Sequence, residues 1–346
     1  MLSLLEIFRE ATQRGASDVH LVTGAPPSLR VDGVILPLSC EPASADDCRD
    51  LVFSVLTENQ RARFEENLEL DFLLEVEEVG RFRANAHYSK GSVEASFRLV
   101  PETIPDLATL GHYPAVEQLL DLKQGLILVT GATGTGKSTT LASMVQTLAA
   151  RESGIIVTIE DPIEYLFHNQ MALIKQREVG HDTKSFSAAL KHVLRQDPDI
   201  IVISEMRDRE TIQAAITAAE TGHLVFGSLH TIDAPKSIDR MVDIFPSEQQ
   251  NQIVTQLSNS IQAVLSQRLL PRADRQGRVV ATELMIPNTG IRACIRERKT
   301  HQIYGLMEIG KQEGMHTIDD HLIALLDQGL ITEEEALMNA RDPARI

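Results

Sequence analysis

The segment Gly131-Ala132-Thr133-Gly134-Thr135-Gly136-Lys137-Ser138 sets three glycines at fixed offsets before a lysine and a hydroxyl residue. Glycines let a backbone wrap tightly with its N–H groups turned inward, and a following helix points its positive N-terminal end at any anion held there. Lys137 would reach the β- and γ-phosphates of a nucleotide, and Ser138 would set its hydroxyl on Mg²⁺. Leu126 to Thr130 reads as a buried strand and 137–151 as a helix, which is the context this motif requires. A glycine-rich turn with an incidental Lys-Ser pair would not match every fixed position together with both flanks. The expected chemistry is ATP binding, with Gly131, Thr133, Gly134, Thr135, Gly136, Lys137 and Ser138 around the phosphates.

Hydrolysis also needs a carboxylate that orients or deprotonates a water, and such groups sit at the C-terminal ends of parallel strands beside the phosphate loop. Glu205 follows the apolar run 200–203 in the position of a Walker B acid and is the expected water-activating base. Glu160, ending the run 155–159, is the second candidate, for orienting water or the Mg²⁺ shell. Either could instead be a solvated strand-end acid, a reading that weakens when both flank one phosphate loop. His223 and His230 bracket the run 224–229, and only His230 stands at its ligand-facing end. His230 is therefore expected to sense phosphate or position water, and His223 to be structural.

Four short continuous apolar runs, at 126–130, 155–159, 200–203 and 224–229, fit parallel strands buried on both faces. Helical segments near 137–151, 185–196 and 208–221 lie between them, which is βαβ grammar and an α/β fold. The first hundred residues differ. After an opening amphipathic helix, 17–22 and 28–35 read as strands with an Asp32-Gly33 turn, 44–66 returns to helical spacing with Ser44 as N-cap, and 70–75, 80–86 and 93–100 read as further strands. This is an α+β pattern. Pro101 and Pro105, without periodicity around them, mark a linker.

With 346 residues, two domains are expected. The balance of 33 basic and 49 acidic residues gives −16, which argues against a nucleic-acid polyanion as the main partner. Cys40, Cys48 and Cys294 are scattered and form no CxxC pair, which fits reduced thiols in a cytoplasm and not a zinc knuckle. The N-terminus lacks the basic start and unbroken apolar core of a signal peptide, and no apolar run reaches membrane-spanning length.

The motifs stand in an order that resembles the secretion ATPases, specifically the type IV pilus retraction ATPases (PilT-like). GATGTGKSTT is followed by TIEDPIEY at 158–165, DPDIIVISEMRD at 197–208 and AAETGHLVFGSLHT at 218–231, and GASDVHL at 15–21 and GRFRANAHY at 80–88 extend the match toward the N-terminus. The resemblance implies a PAS-like domain at 1–100, a linker at 101–112 and a RecA-like ATPase domain with a C-terminal helical region at 113–346, assembled as a homohexameric ring. It also implies that Lys137, Ser138 and Thr139 bind phosphate and Mg²⁺, that Glu160 and Glu164 belong to an acidic box with Glu164 toward the metal, that Glu205 is catalytic, and that His230 reads the γ-phosphate. Arg81, Arg83 and Arg98 would complete a neighbour's site, since arginine stays charged and grips phosphate bidentately; ordinary ion pairing along strands is the alternative.

Retraction is favoured over extension or type II secretion by the missing cysteine pairs, the absence of a long N-terminal extension, and Ile291-Arg292-Ala293-Cys294-Ile295-Arg296-Glu297, which resembles the AIRNLIRE element. Its spacing puts Ile291, Cys294 and Ile295 on one helical face. Gly290, Ala293 and Cys294 depart from that element, as do Ser204 before the glutamate and Ile232 after LHT. The implied partners are an inner-membrane platform protein and a second retraction ATPase, with the ring cytoplasmic and peripheral at the membrane. A non-hydrolysing regulatory ring and a DNA translocase are the competing readings, the latter disfavoured by the charge.

Overall fold

Along Gly80–Ser89, buried Phe82, Ala84 and Ala86 alternate with half-buried Arg81, Arg83, Asn85 and His87, the signature of a strand with one face on a core. That strand belongs to a six-stranded antiparallel sheet in the computed structural model, which describes residues 2–31, 33–100 and 103–346. Its strands are β1 (Asp18–Leu21), β2 (Ser28–Val31), β3 (Val34–Pro37), β4 (Glu69–Val76), β5 (Gly80–Ser89) and β6 (Ser92–Val100), in the order β3-β2-β1-β6-β5-β4. The helix Leu4–Gln13 covers the apolar face: Phe8 stacks on Phe82 at 4.0 Å and meets Phe97 edge-on at 5.0 Å. Asp32, half of the expected hairpin turn, lies outside the described residues, but the flanking strands pair as a hairpin, Val31 opposite Val34.

The helical spacing over 44–66 resolves into two helices, Ala45–Phe53 and Glu58–Asn67. Ser44 caps the first as expected, its hydroxyl accepting from the Asp47 N–H. Thr57 starts the second: its hydroxyl accepts from Gln60 N–H while Gln60 Oε1 accepts from Thr57 N–H. This reciprocal box satisfies orphan donors at a new helix start and so breaks the run.

The chain divides into two units between Thr103 and Ile104. Pro101 and Glu102 lie outside the described residues. Residues 104–112 group with the second unit, where Ser143 Oγ donates to the Pro105 carbonyl at 2.7 Å and Leu107 is buried beside Met144.

The second unit is built on β7 (Gly125–Thr130), β8 (Ile155–Glu160), β9 (Leu173–Glu178), β10 (Ile200–Ile203), β11 (Leu224–Leu229), β12 (Ile261–Pro271) and β13 (Arg278–Met285). The order is β13-β12-β7-β11-β10-β8-β9, all parallel except β13. The apolar runs are apolar throughout because both faces are covered. Ile127, Val129, Ile156, Val202 and Phe226 pack with Met144 and Leu148 of the helix Lys137–Arg151. The alternate residues Leu126, Leu128, Val157, Ile201 and Val225 pack with Leu190, Ile212, Ile216 and Met241 on the other side. The C-terminal helices Thr289–Arg296, Ile303–Ile309, Ile318–Asp327 and Glu333–Asn339 follow β13, and Ile291, Cys294 and Ile295 are buried together as their spacing predicts.

Candidate active site

Gly131, Gly134 and Gly136 take φ of 147°, 80° and 87°, backbone that residues with a Cβ rarely adopt. At Gly131 space forbids a side chain as well, since a Cβ would lie 2.4 Å from the Gln267 carbonyl oxygen. Gly136 stands at the N-cap of Lys137–Arg151 with no side-chain cap, so the helix keeps its first N–H groups for an anion. The loop is braced from within and from behind. Thr135 Oγ1 donates to the Ala132 carbonyl at 2.8 Å, and Gln267 Nε2 on β12 donates to the Thr135 carbonyl at 2.7 Å. Lys137 is buried, its ammonium donating to the Gly131 and Ala132 carbonyls at 2.9 Å each. Burial lowers its pKa, opposed by Glu205 and Glu164, which places both carboxylates within electrostatic reach of the ammonium. Ser138 is exposed in the first helical turn, Thr133 is exposed in the loop, and Thr139 Oγ1 meets the Tyr165 hydroxyl at 3.0 Å.

Register explains why residues far apart in sequence converge here. Leu229 pairs with Thr130, Gly227 with Ile203, and Ile203 with Ile159. The C-terminal ends of β7, β11, β10 and β8 therefore share one edge, and they deliver the phosphate loop, His230, Glu205 and Glu160 respectively. Glu205 Oε1 accepts from His230 Nε2 at 2.5 Å and pairs with Arg207 Nε. Burial pushes the Glu205 carboxyl up, but Arg207 and His230 outweigh it and hold the group below the usual glutamate range. Glu160 is more enclosed: its Oε1 accepts from Thr158 Oγ1 at 2.6 Å and Gln176 Nε2 at 3.0 Å. Here burial prevails over the hydrogen bonds from Thr158, Gln176 and the Glu164 backbone and raises the pKa. His223 lies at the opposite end of β11, its Nδ1 3.0 Å from the Ala218 carbonyl, which makes it a structural contact at the end of the preceding helix.

Arg81, Arg83 and Arg98 belong to the first unit. Arg98 stands opposite Arg83 across β5 and β6 and opposite Asp18 across β1, and Asp18 in turn faces Arg30. Arg98 Nε donates to Asp18 Oδ1 at 2.9 Å while its side chain stays 68% exposed, so the pairing leaves most of it open to solvent. Arg81 Nε and Nη1 are buried with no hydrogen-bond partner among the described residues.

Sequence patterns did not announce Arg207, Gln176, Tyr165 or Gln267. Arg207 carried a readable signal, a cation two residues past the Walker B acid. The other three reach the site only through strand order or a loop return, which no local pattern encodes.

A glycine loop wrapped between an interior parallel strand of the sheet and a helix, with acids and a histidine on neighbouring strand ends, defines a P-loop nucleotide hydrolase. Residues 2–337 match the family model described as type II/IV secretion system protein, and the chain belongs to that family. It is 45% identical to the type IV pilus retraction ATPase PilT of Pseudomonas aeruginosa over 345 residues, covering 100% of this chain and 99% of that one. A twitching motility protein of Neisseria gonorrhoeae is 41% identical over 98% of this chain and 91% of its own length. A crystal structure of the pilus retraction motor PilT with bound ADP superposes with a TM-score of 0.94 at 49% identity, covering 100% of this chain and 99% of that one. The chain is an ATPase of this family, with the RecA-like fold of its second unit preceded by a smaller α+β domain.

Proposed function

We propose that this chain is an ATP-driven motor that retracts type IV pili, working as a homohexameric ring whose phosphate loops are each completed by the neighbouring subunit. The observation that carries the reading is the end-to-end likeness to a retraction motor with bound ADP, in a chain whose own Glu205 lies within electrostatic reach of Lys137 and is held below the usual glutamate range. Glu205 takes the proton of the attacking water, Lys137 and the helix N-terminus hold the phosphates, and His230 links the γ-phosphate to Glu205. Glu160 acts at one remove, fixing the strand end through Thr158 and Gln176. Ser138 and Glu164 offer the oxygen donors that Mg²⁺ prefers, and the ion when bound offsets phosphate charge.

Arg81, Arg83 and Arg98 reach the phosphates of an adjacent subunit. ATP biases a closed ring arrangement only through contacts that the open one lacks, and a γ-phosphate held between one subunit's loop and another's arginines supplies that difference. The ring works in the cytoplasm at the inner membrane, pulling on a platform protein and cooperating with a second retraction ATPase. Among the described residues no helix is long and apolar enough to cross a membrane.

Deleting the gene should leave cells overpiliated and unable to twitch, with wild type restoring movement. Loss of pili on deletion would transfer the chain to extension. For the shared site, an Arg83→Ala/Arg98→Ala subunit mixed with a Lys137→Ala subunit should regain ATPase activity at interfaces that unite the intact halves. No recovery over either parent excludes arginines acting in trans.

A further inference from the structure

His230 hangs on a short arm between β11 and the helix Ala234–Asp243. The far end of that arm is fastened by a residue outside every motif named above: the Ala234 N–H donates to Glu283 Oε1 of β13 at 2.6 Å. Glu283 is 2% exposed and lines a cavity of about 520 Å³ with Asp233, Lys236, Arg268, His301 and Arg341. The rest of the arm closes on itself. Asp233 Oδ1 accepts from Lys236 N–H at 2.7 Å, Thr231 Oγ1 meets Ser237 Oγ at 2.6 Å, and Ser237 Oγ donates to the Asp233 carbonyl at 2.7 Å. Ile232 turns outward at 49% exposed, and His230 itself keeps 44% of its side chain in solvent. The imidazole thus arrives 2.5 Å from Glu205 on a segment held by the sheet at one end and by Glu283 at the other.

We infer that Glu283 is a positioning residue for His230, its side chain anchoring the arm that carries the imidazole to Glu205. The inference rests on the role proposed for His230. An acid almost wholly removed from water is costly, and a hydrogen bond to an orphan N–H at a helix start is one use that offsets the cost. Asp233 faces Glu283 from the arm itself, Arg268 from β12 and Arg341 from the C-terminal segment, while Lys236, Asp239 and His301 share the cavity and Tyr304 lies close enough to feel the charge. Burial, reinforced by Asp233 and opposed by Arg268 and Arg341, pushes the Glu283 carboxyl up to about 7. The acceptor at Ala234 is therefore a carboxylate above neutrality and a weaker neutral carbonyl below it.

The test compares Glu283→Gln and Ala234→Pro with wild type in steady-state ATPase assays from pH 6 to 8.5, with thermal melting as a folding check. Gln keeps an acceptor that cannot ionise. Pro removes the donor at a first helical position that tolerates it, after an Asp233 that is already extended at ψ 162°. Each variant should lose about tenfold in kcat at pH 8 with little change in KM for ATP, because a displaced group costs turnover and not phosphate binding. Glu283→Gln should also lose the rise in kcat through pH 7. In the His230→Ala background neither change should slow turnover further. Wild-type kcat and pH profile in Glu283→Gln, or losses that multiply with His230→Ala, overturn the inference. Wild-type turnover in His230→Ala alone overturns the role of His230 instead.

Discussion

The ends of β8 and β10 each present a glutamate to the same edge of the sheet, yet the protein treats the two acids in opposite ways. Glu160 is enclosed and bonded by neutral donors, Thr158 and Gln176, so burial wins and its proton affinity rises. Glu205 is bonded by Arg207 and His230, and the cation decides the balance toward the ionised form. Both of those contacts fall on Oε1, and Oε2 takes none from the described residues. A base must be charged and must present a free oxygen to water, while a strut must be fixed. Similar positions at strand ends therefore do not give similar proton affinities; the partners set them.

The sharpest way to break this contrast is to neutralise each acid in turn. Glu205→Gln should retain ATP binding while turnover falls by about 10²–10⁴-fold, the usual contribution of a general base. Glu160→Gln should lose only about tenfold, since the amide still accepts from Thr158 and the loss is one of geometry. Stability should separate them as well. A buried acid whose folded pKa is raised stabilises most at low pH and loses that contribution as pH rises from the ordinary glutamate value through its folded value, so Glu160→Gln should gain in melting temperature relative to wild type as pH rises out of the ordinary glutamate range. Parallel ATPase, nucleotide-binding and melting measurements decide it; equal kinetic losses would erase the distinction between strut and base.

Much of this site is legible from local pattern. The glycine offsets, the unbroken apolar runs and the acid or histidine that follows three of the four runs are all short-range facts, and register turns them into one edge because parallel strands end together. β9, β12 and β13 are harder to read. β12 carries Gln262, Ser266, Gln267 and Arg268 within its eleven residues, which breaks any apolar run, although Ser266 and Gln267 are buried by what lies above them. Gln267 is buried and polar because the phosphate loop folds over it, which is tertiary information. The same holds for Glu283: its sequence context is a strand, and its partner Ala234 lies 49 positions away. The split of 44–66 was within reach, since Thr57 and Gln60 have capping-box spacing, but helical periodicity on both sides conceals a start signal in the middle.

The smallest expected effect sharpens the contrast most finely, because it alters the partner and leaves the acid in place. Arg207 is 76% exposed, so its pairing with Glu205 is screened by solvent and contributes little to folding. Its effect falls on the proton. In Arg207→Ala the burial that raises the Glu205 pKa remains while its strongest opposing partner is lost, leaving His230 alone against it. The carboxyl should then move in the direction of Glu160, and the acid limb of kcat/KM should shift toward neutral pH. Well above that limb the base is ionised in both proteins, and turnover should differ by no more than about fivefold, the scale of a solvent-screened ion pair. A loss that persists undiminished at high pH would mean that Arg207 touches the substrate itself, and the difference between the two strand ends would then lie in what they bind and not in how they hold a proton.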